Sequence, residues 1–85
     1  MIVLRSPRFK KAYKKLDEKI KKQFKEKFDF FQENPRHPSL RVKKVEKRRN
    51  IFEASITKSY RWTFQFIRGG VRLRVIGTHD ILRNP

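Results

Sequence analysis

YRWTFQFIRGGVRLRVIGTHD, residues 60–80, is the stretch on which the fold turns. Trp62, Phe64 and Phe66 alternate with Arg61, Thr63 and Gln65, and Val71, Leu73 and Val75 alternate with Arg72 and Arg74. A period of two marks half-buried strands, here with one apolar face and one cationic face. Glycine tolerates positive φ, so Arg68-Gly69 reads as a two-residue turn joining them. Pairing outward from that turn sets Phe66 against Val71, Phe64 against Leu73 and Trp62 against Val75, with Thr63 opposite Arg74. The second strand runs out at Gly77 and leaves Thr78, His79 and Asp80 near Arg61. A titratable imidazole beside a fixed guanidinium makes a candidate site.

The chain around this hairpin has 85 residues, enough for one domain spanning 1–85. A chain of this size buries only about 60–65% of its unfolded surface, so its core must be compact, and eight Phe, two Tyr and one Trp suit that need. Lys and Arg number 24 against eight Asp and Glu, a formal charge of +16. Such a field favours polyanions, whether nucleic acid or an acidic protein. Lysine-rich helices also read as solvated faces or thermal adaptation, which accounts for the helical lysines better than for the strand arginines. Cysteine is absent, which excludes disulfides and thiolate metal sites and points to a reducing compartment. With two His, no metal or other cofactor is expected. No apolar run approaches the ~20 residues of a membrane span, and no signal peptide is evident, so a cytoplasmic protein with no membrane association is expected.

Upstream, Ile2 to Arg5 is β-prone and stops at Ser6-Pro7, a helix cap followed by a residue suited to the first turn. Phe9, Ala12, Tyr13 and Leu16 form a stripe that predicts a helix from Pro7 to Leu16. Asp17 caps a second helix to Glu33, with Ile20, Phe24, Phe28 and Phe31 on one side. Two amphipathic helices so closely joined form an antiparallel hairpin. Asn34-Pro35-Arg36-His37-Pro38-Ser39 is a rigid connector, and His37 within it reads as a turn-bonding or solvated group. Strands are expected over Leu40–Glu46 and Ile51–Thr57, with Phe52, Ala54 and Ile56 inward and Glu53 and Ser55 outward. A three-residue loop at Thr57-Lys58-Ser59 sets Ser55 opposite Arg61 and Glu53 opposite Thr63, whereas a two-residue loop scrambles the faces. The order is β-α-α-β-β-β-β. The expected architecture is α+β: an N-terminal strand and a helical hairpin packed on one face of a mainly antiparallel four- to five-stranded sheet, whose other face is basic and open.

On that open face stand Arg41, Lys43 or Lys44, Glu53, Arg61, Arg72 and Arg74, with His79 at its lip. These are parts with which RNA is cleaved without metal. A 2′-hydroxyl loses a proton as it attacks phosphorus, the 5′-oxygen gains one as it leaves, and Arg or Lys holds the phosphorane charge. Histidine suits the transfer because imidazole ordinarily titrates near 6.5; Glu53 is a candidate base. The competing reading is a surface ion pair between Glu53 and Arg74 and a capping role for His79.

The organisation resembles the RelE/ParE superfamily of toxins from toxin-antitoxin systems over nearly the whole chain. The resemblance lies in the helical hairpin, the connector Asn34-Pro35 to His37-Pro38-Ser39-Leu40, Ile51-Phe52-Glu53, Ser59-Tyr60-Arg61 and Gly77-Thr78-His79-Asp80. The ending Gly-Thr-His-Asp is most similar to the YafQ-type branch, ribosome-dependent mRNA endonucleases neutralised by a cognate antitoxin. It implies that Arg61 stabilises the scissile phosphate, that His79 serves acid catalysis or charge stabilisation, and that Glu53 is the carboxylate of that branch, with a transient 2′,3′-cyclic phosphate product. Lys43, Lys44, Arg48, Arg49, Arg74 and Asp80 are the expected RNA-binding set. Ser55 departs from the pattern, since many members carry Arg or His there; one cationic or proton-transfer role then falls to Lys43, Lys44, Arg48, Arg49 or Arg74. The implied partners are an acidic antitoxin, in a hetero-oligomer, and mRNA on the ribosome with its rRNA. The alternatives are a ParE-like poison of DNA gyrase, which needs no acid-base pair, and a nucleic-acid-binding module without activity.

Overall fold

The computed structural model describes the whole chain, Met1–Pro85. Helix α1 (Pro7–Lys14) starts where Ser6 stays extended and its Oγ accepts from the Phe9 amide at 2.9 Å, with Pro7 in the first turn, where no amide donor is needed. It ends at Lys14 rather than Leu16, because Asp17 must also stay extended to cap α2 (Glu18–Glu33), accepting from the Ile20 amide at 3.0 Å. Asn34, forced out of the helical region by Pro35, closes α2.

The five strands are β1 (Ile2–Arg5), β2 (Lys43–Lys44), β3 (Phe52–Ser55), β4 (Tyr60–Ile67) and β5 (Gly70–Thr78). Their order in the sheet is β1-β5-β4-β3-β2; β1 runs parallel to β5 and the other pairs are antiparallel. The expected α+β architecture is therefore present. β2 is much shorter than the predicted strand over Leu40–Glu46. Pro38–Leu40 form a 3-10 turn, and Arg41 (φ 48) and Lys47 (φ 62) adopt left-handed conformations that interrupt extended backbone on either side. The next strand is likewise trimmed, from Ile51–Thr57 to Phe52–Ser55.

The helices cover one face of the sheet through an aromatic core. Trp62 is fully buried, and the rings of Phe24, Phe28 and Phe31 lie 5.2, 6.3 and 5.8 Å from it, edge-on. Phe31 meets Phe64 at 4.8 Å, and Leu40, Ala54, Ile56, Val71, Leu73 and Ile76 complete the cluster.

The β4–β5 hairpin turns at Arg68-Gly69 as read, with Gly69 at φ 81 and Ile67 opposite Gly70. Gly70 admits no side chain: a Cβ there would lie 1.8 Å from the carbonyl oxygen of Ile2 on β1. Phe66–Val71 and Phe64–Leu73 pair as expected, but a β-bulge follows, so Thr63 faces Val75 and Trp62 faces Ile76. Arg74 is the extra residue. Its carbonyl accepts from Ser6 Oγ at 2.7 Å, so one serine both caps α1 and satisfies the bulge. The slip puts Ile76 rather than Val75 into the core beside Trp62 and turns Val75 to the opposite face.

That opposite face is not fully open. A 3-10 segment, His79–Arg83, folds back across it, with Ile81 over Gly77, and the Pro85 carbonyl accepts from Arg74 Nε at 2.9 Å and Thr63 Oγ1 at 3.4 Å. Beneath and beside this segment Glu53, Ser55, Thr63 and Val75 are all buried.

Candidate nucleic-acid interface

Arg61 sits on β4 between Ser55 of β3 and Gly77 of β5. Glu53 is its diagonal neighbour, because it pairs with Thr63, two residues along the same face. The guanidinium accordingly reaches both: Nη1 donates to Ser55 Oγ, and Nε lies 3.5 Å from Glu53 Oε1. Their side chains retain 15% and 6% exposure, so this is a mostly buried ion pair. The carboxylate thus pairs with Arg61 and not with Arg74. The bulge takes Arg74 elsewhere, where Nη1 donates to Gln65 Oε1 at 2.7 Å and Nε to the Pro85 carbonyl. Arg74 is spent on holding the C-terminal segment and stands apart from the other expected RNA-binding residues.

Four of those others gather. Lys43 lies opposite Glu53, and the β2–β3 turn, shaped by left-handed Lys47 and Asn50, carries Arg48 and Arg49 to the same side. Together with Lys44, Val45, Glu46 and Leu82 they line a cleft of about 950 Å³ with Glu53 in its wall. Lys43, Lys44, Arg48 and Arg49 are all exposed, a cationic rim around one buried carboxylate.

His79 is exposed at the start of the C-terminal 3-10 segment, with Nε2 3.3 Å from the Lys58 carbonyl in the β3–β4 turn. Thr78 pairs with Tyr60, so His79 stands at the same end of the sheet as Arg61 and Ser55, but bonds to neither. Glu53 is farther along β3 from that turn. The three expected catalytic groups therefore run His79, Arg61, Glu53 from the turn inward. Asp80, exposed next to His79, lies outside the cleft of Lys43 and Arg48.

A second cleft, of about 470 Å³, opens on the Ser55 side of Arg61 and is lined by Lys27, Ser39, Arg41, Ser55, Ile56, Thr57, Lys58 and Arg61. Lys27 has no counterpart among the sequence-predicted residues. It looks like one more solvated lysine of α2, and only the packing of α2 over the connector brings it beside Arg61 and Ser55. His37 does the local work expected of a turn histidine: its ring stacks on Phe30 at 4.8 Å and Nδ1 accepts from the Ser39 amide at 3.2 Å.

No protein-family model matches the chain, and none of the curated protein sequences compared with it does. Solved structures do match in fold. The RelE of an antitoxin-toxin complex with RelB from Methanococcus jannaschii superposes with a TM-score of 0.75 at 17% identity, over 95% of each chain. YafQ from E. coli strain BL21(DE3) gives 0.78 at 15% identity, over 95% of this chain and 96% of that one. YoeB, a dimer from Staphylococcus aureus, gives 0.78 at 15% identity, over 93% and 97%. The chain shares the fold of these proteins over more than nine-tenths of its length.

Proposed function

We propose that residues 1–85 form the toxin of a toxin-antitoxin pair and that it cuts mRNA on the ribosome. One observation supports this reading above the rest. On the sheet face of a RelE-type fold, a mostly buried arginine, bonded to Ser55 and paired with Glu53, stands between a cleft rimmed by exposed Lys and Arg and an exposed histidine. A guanidinium already standing beside the cleft is placed to stabilise a developing phosphorane.

In this reading the 2′-hydroxyl attacks the adjacent phosphorus and passes its proton to Glu53. The phosphorus–5′-oxygen bond breaks, His79 protonates the departing oxygen, and a 2′,3′-cyclic phosphate remains. Arg61 carries the charge between these steps, and Lys43, Lys44, Arg48 and Arg49 hold the strand. For Glu53 to accept a proton, Arg61 must turn its charge toward the phosphate, so substrate binding and activation of the base are coupled. A chain at +16 calls for an acidic antitoxin. The RelE of Methanococcus jannaschii is found in complex with an antitoxin, RelB. No helix is long and apolar enough to cross a membrane, in keeping with a site of action at the ribosome in the cytoplasm.

The test is a reconstituted translation reaction with purified protein. The proposal expects mRNA fragments ending in 2′,3′-cyclic phosphate, only when ribosomes are present. Intact mRNA, with gyrase–DNA cleavage complexes accumulating instead, would make the chain a ParE-like gyrase poison. Intact mRNA with tight RNA binding would leave a binding module.

A further inference from the structure

Ser55 stands where the RNA-cleaving resemblance implies Arg or His, and the cleft on its side of Arg61 draws cations from four different elements. Lys27 comes from α2, Arg41 from the connector, Lys58 from the β3–β4 turn and Arg61 from β4; no carboxylate lines the cleft. Lys27 is half-buried, and its ammonium makes a single long contact, 3.5 Å to the Ser39 carbonyl, so most of its donor capacity is unused. Arg41 is held in a left-handed conformation that a non-glycine residue adopts only at a cost, the kind of local strain that collects at binding sites. Arg61 faces Glu53 with Nε and this cleft with Nη1. An anion entering here meets the guanidinium without meeting the carboxylate. From the opposite cleft it would meet Glu53 first.

We infer that this cleft is a phosphate subsite and that Lys27, with Arg41, provides the strand-directed positive charge that position 55 lacks. The inference rests on the RNA-cleaving reading for the identity of the ligand, a phosphodiester of a single strand. The geometry by itself asks only for a tetrahedral anion able to accept from several cations at once. Lys27 is then a phosphate-binding residue that sits on a helix, where nothing in the strand pattern points to it.

Two probes separate the sources of such an anion: inorganic phosphate, and a 2′-O-methylated RNA tetranucleotide that 2′-oxygen attack cannot cut. Each is titrated into isotopically labelled protein while the amide signals of Ser39, Arg41 and Ser55 are followed. The tetranucleotide should shift these signals saturably in the wild type and in Lys19→Ala, which removes the same charge from an exposed position on α2. Binding should weaken about tenfold or more in Lys27→Ala and Lys27→Gln, the loss of one charge-assisted bond. Ser55→Arg placed in the Lys27→Ala background should restore it. Equal affinity in Lys27→Ala and wild type overturns the inference even if the protein cuts mRNA, as does a response to inorganic phosphate alone. Lys27-dependent binding without mRNA cleavage keeps the subsite and removes the nuclease reading.

Discussion

Arg61→Ala leaves Glu53 buried beside no guanidinium, and the cost follows from the geometry. At 3.5 Å the pair's attraction is about 5 kcal/mol with an effective dielectric near 20, much of it offset by taking both charges out of water. Deleting one partner of a buried pair ordinarily costs about 3–5 kcal/mol. Here Arg61 keeps 15% exposure, and Lys43 across the strand pair offers Glu53 some compensation, which brings the expected loss to about 2–3 kcal/mol. For a domain of this size that is a fall in Tm of roughly 10–20 °C. Adding Glu53→Gln to Arg61→Ala removes the orphaned charge and should recover about 1–2 kcal/mol. Urea unfolding followed by Trp62 fluorescence reads this directly, since Trp62 is the sole tryptophan and fully buried. A double variant no more stable than Arg61→Ala would mean that the ion pair does not hold Glu53. The same result bears on activity: Arg61→Ala must be compared at a temperature where it is folded, and Arg61→Lys should rescue cleavage only in part because the fork that reaches both Glu53 and Ser55 is gone.

Ser6→Asp keeps an N-cap acceptor but offers no hydroxyl to the Arg74 carbonyl, so it should remain destabilised by about 1–2 kcal/mol; a chemical-denaturation midpoint equal to wild type would show that the bulge needs no donor. If single-stranded RNA meets about five to seven phosphate contacts, log K should fall with log salt at a slope of about −3.5 to −5. Arg48→Ala with Arg49→Ala should make that slope shallower by about 1.4 without unfolding the domain; an unchanged slope would take the β2–β3 turn out of the interface. Saturating acidic antitoxin should raise Tm by binding the native state alone, and a constant Tm would argue against such a partner.

Alternation and capping rules made the helices and the hairpin turn legible, because Ser6, Asp17 and Gly69 act through neighbours a few residues away. The Ser55–Arg61 and Glu53–Thr63 register was equally legible, since the length of one loop and the need to keep Ala54 and Ile56 in the core leave one solution. The bulge was not. Val75 and Ile76 are both apolar, so the strand pattern fits the core with either one inward, and the choice is made by Ser6, 68 residues away in sequence from Arg74. The competing reading therefore pairs Arg74 with Glu53, and the RNA-binding reading leaves it on the open face, whereas it bonds the Pro85 carbonyl and Gln65. The fold-back of His79–Arg83 and the approach of Lys27 to Ser55 are likewise long-range packing events with no local signature.

His79 offers the most direct measurement. It is exposed and makes one long contact to a turn carbonyl, so His79→Ala should fold as the wild type does. Primer extension on translated mRNA after expression should show breaks at the ribosomal A site with the wild-type protein, and cleavage about 10²–10⁴-fold slower with His79→Ala, the range for a lost general acid. Breaks at the wild-type rate in folded His79→Ala would contradict the account.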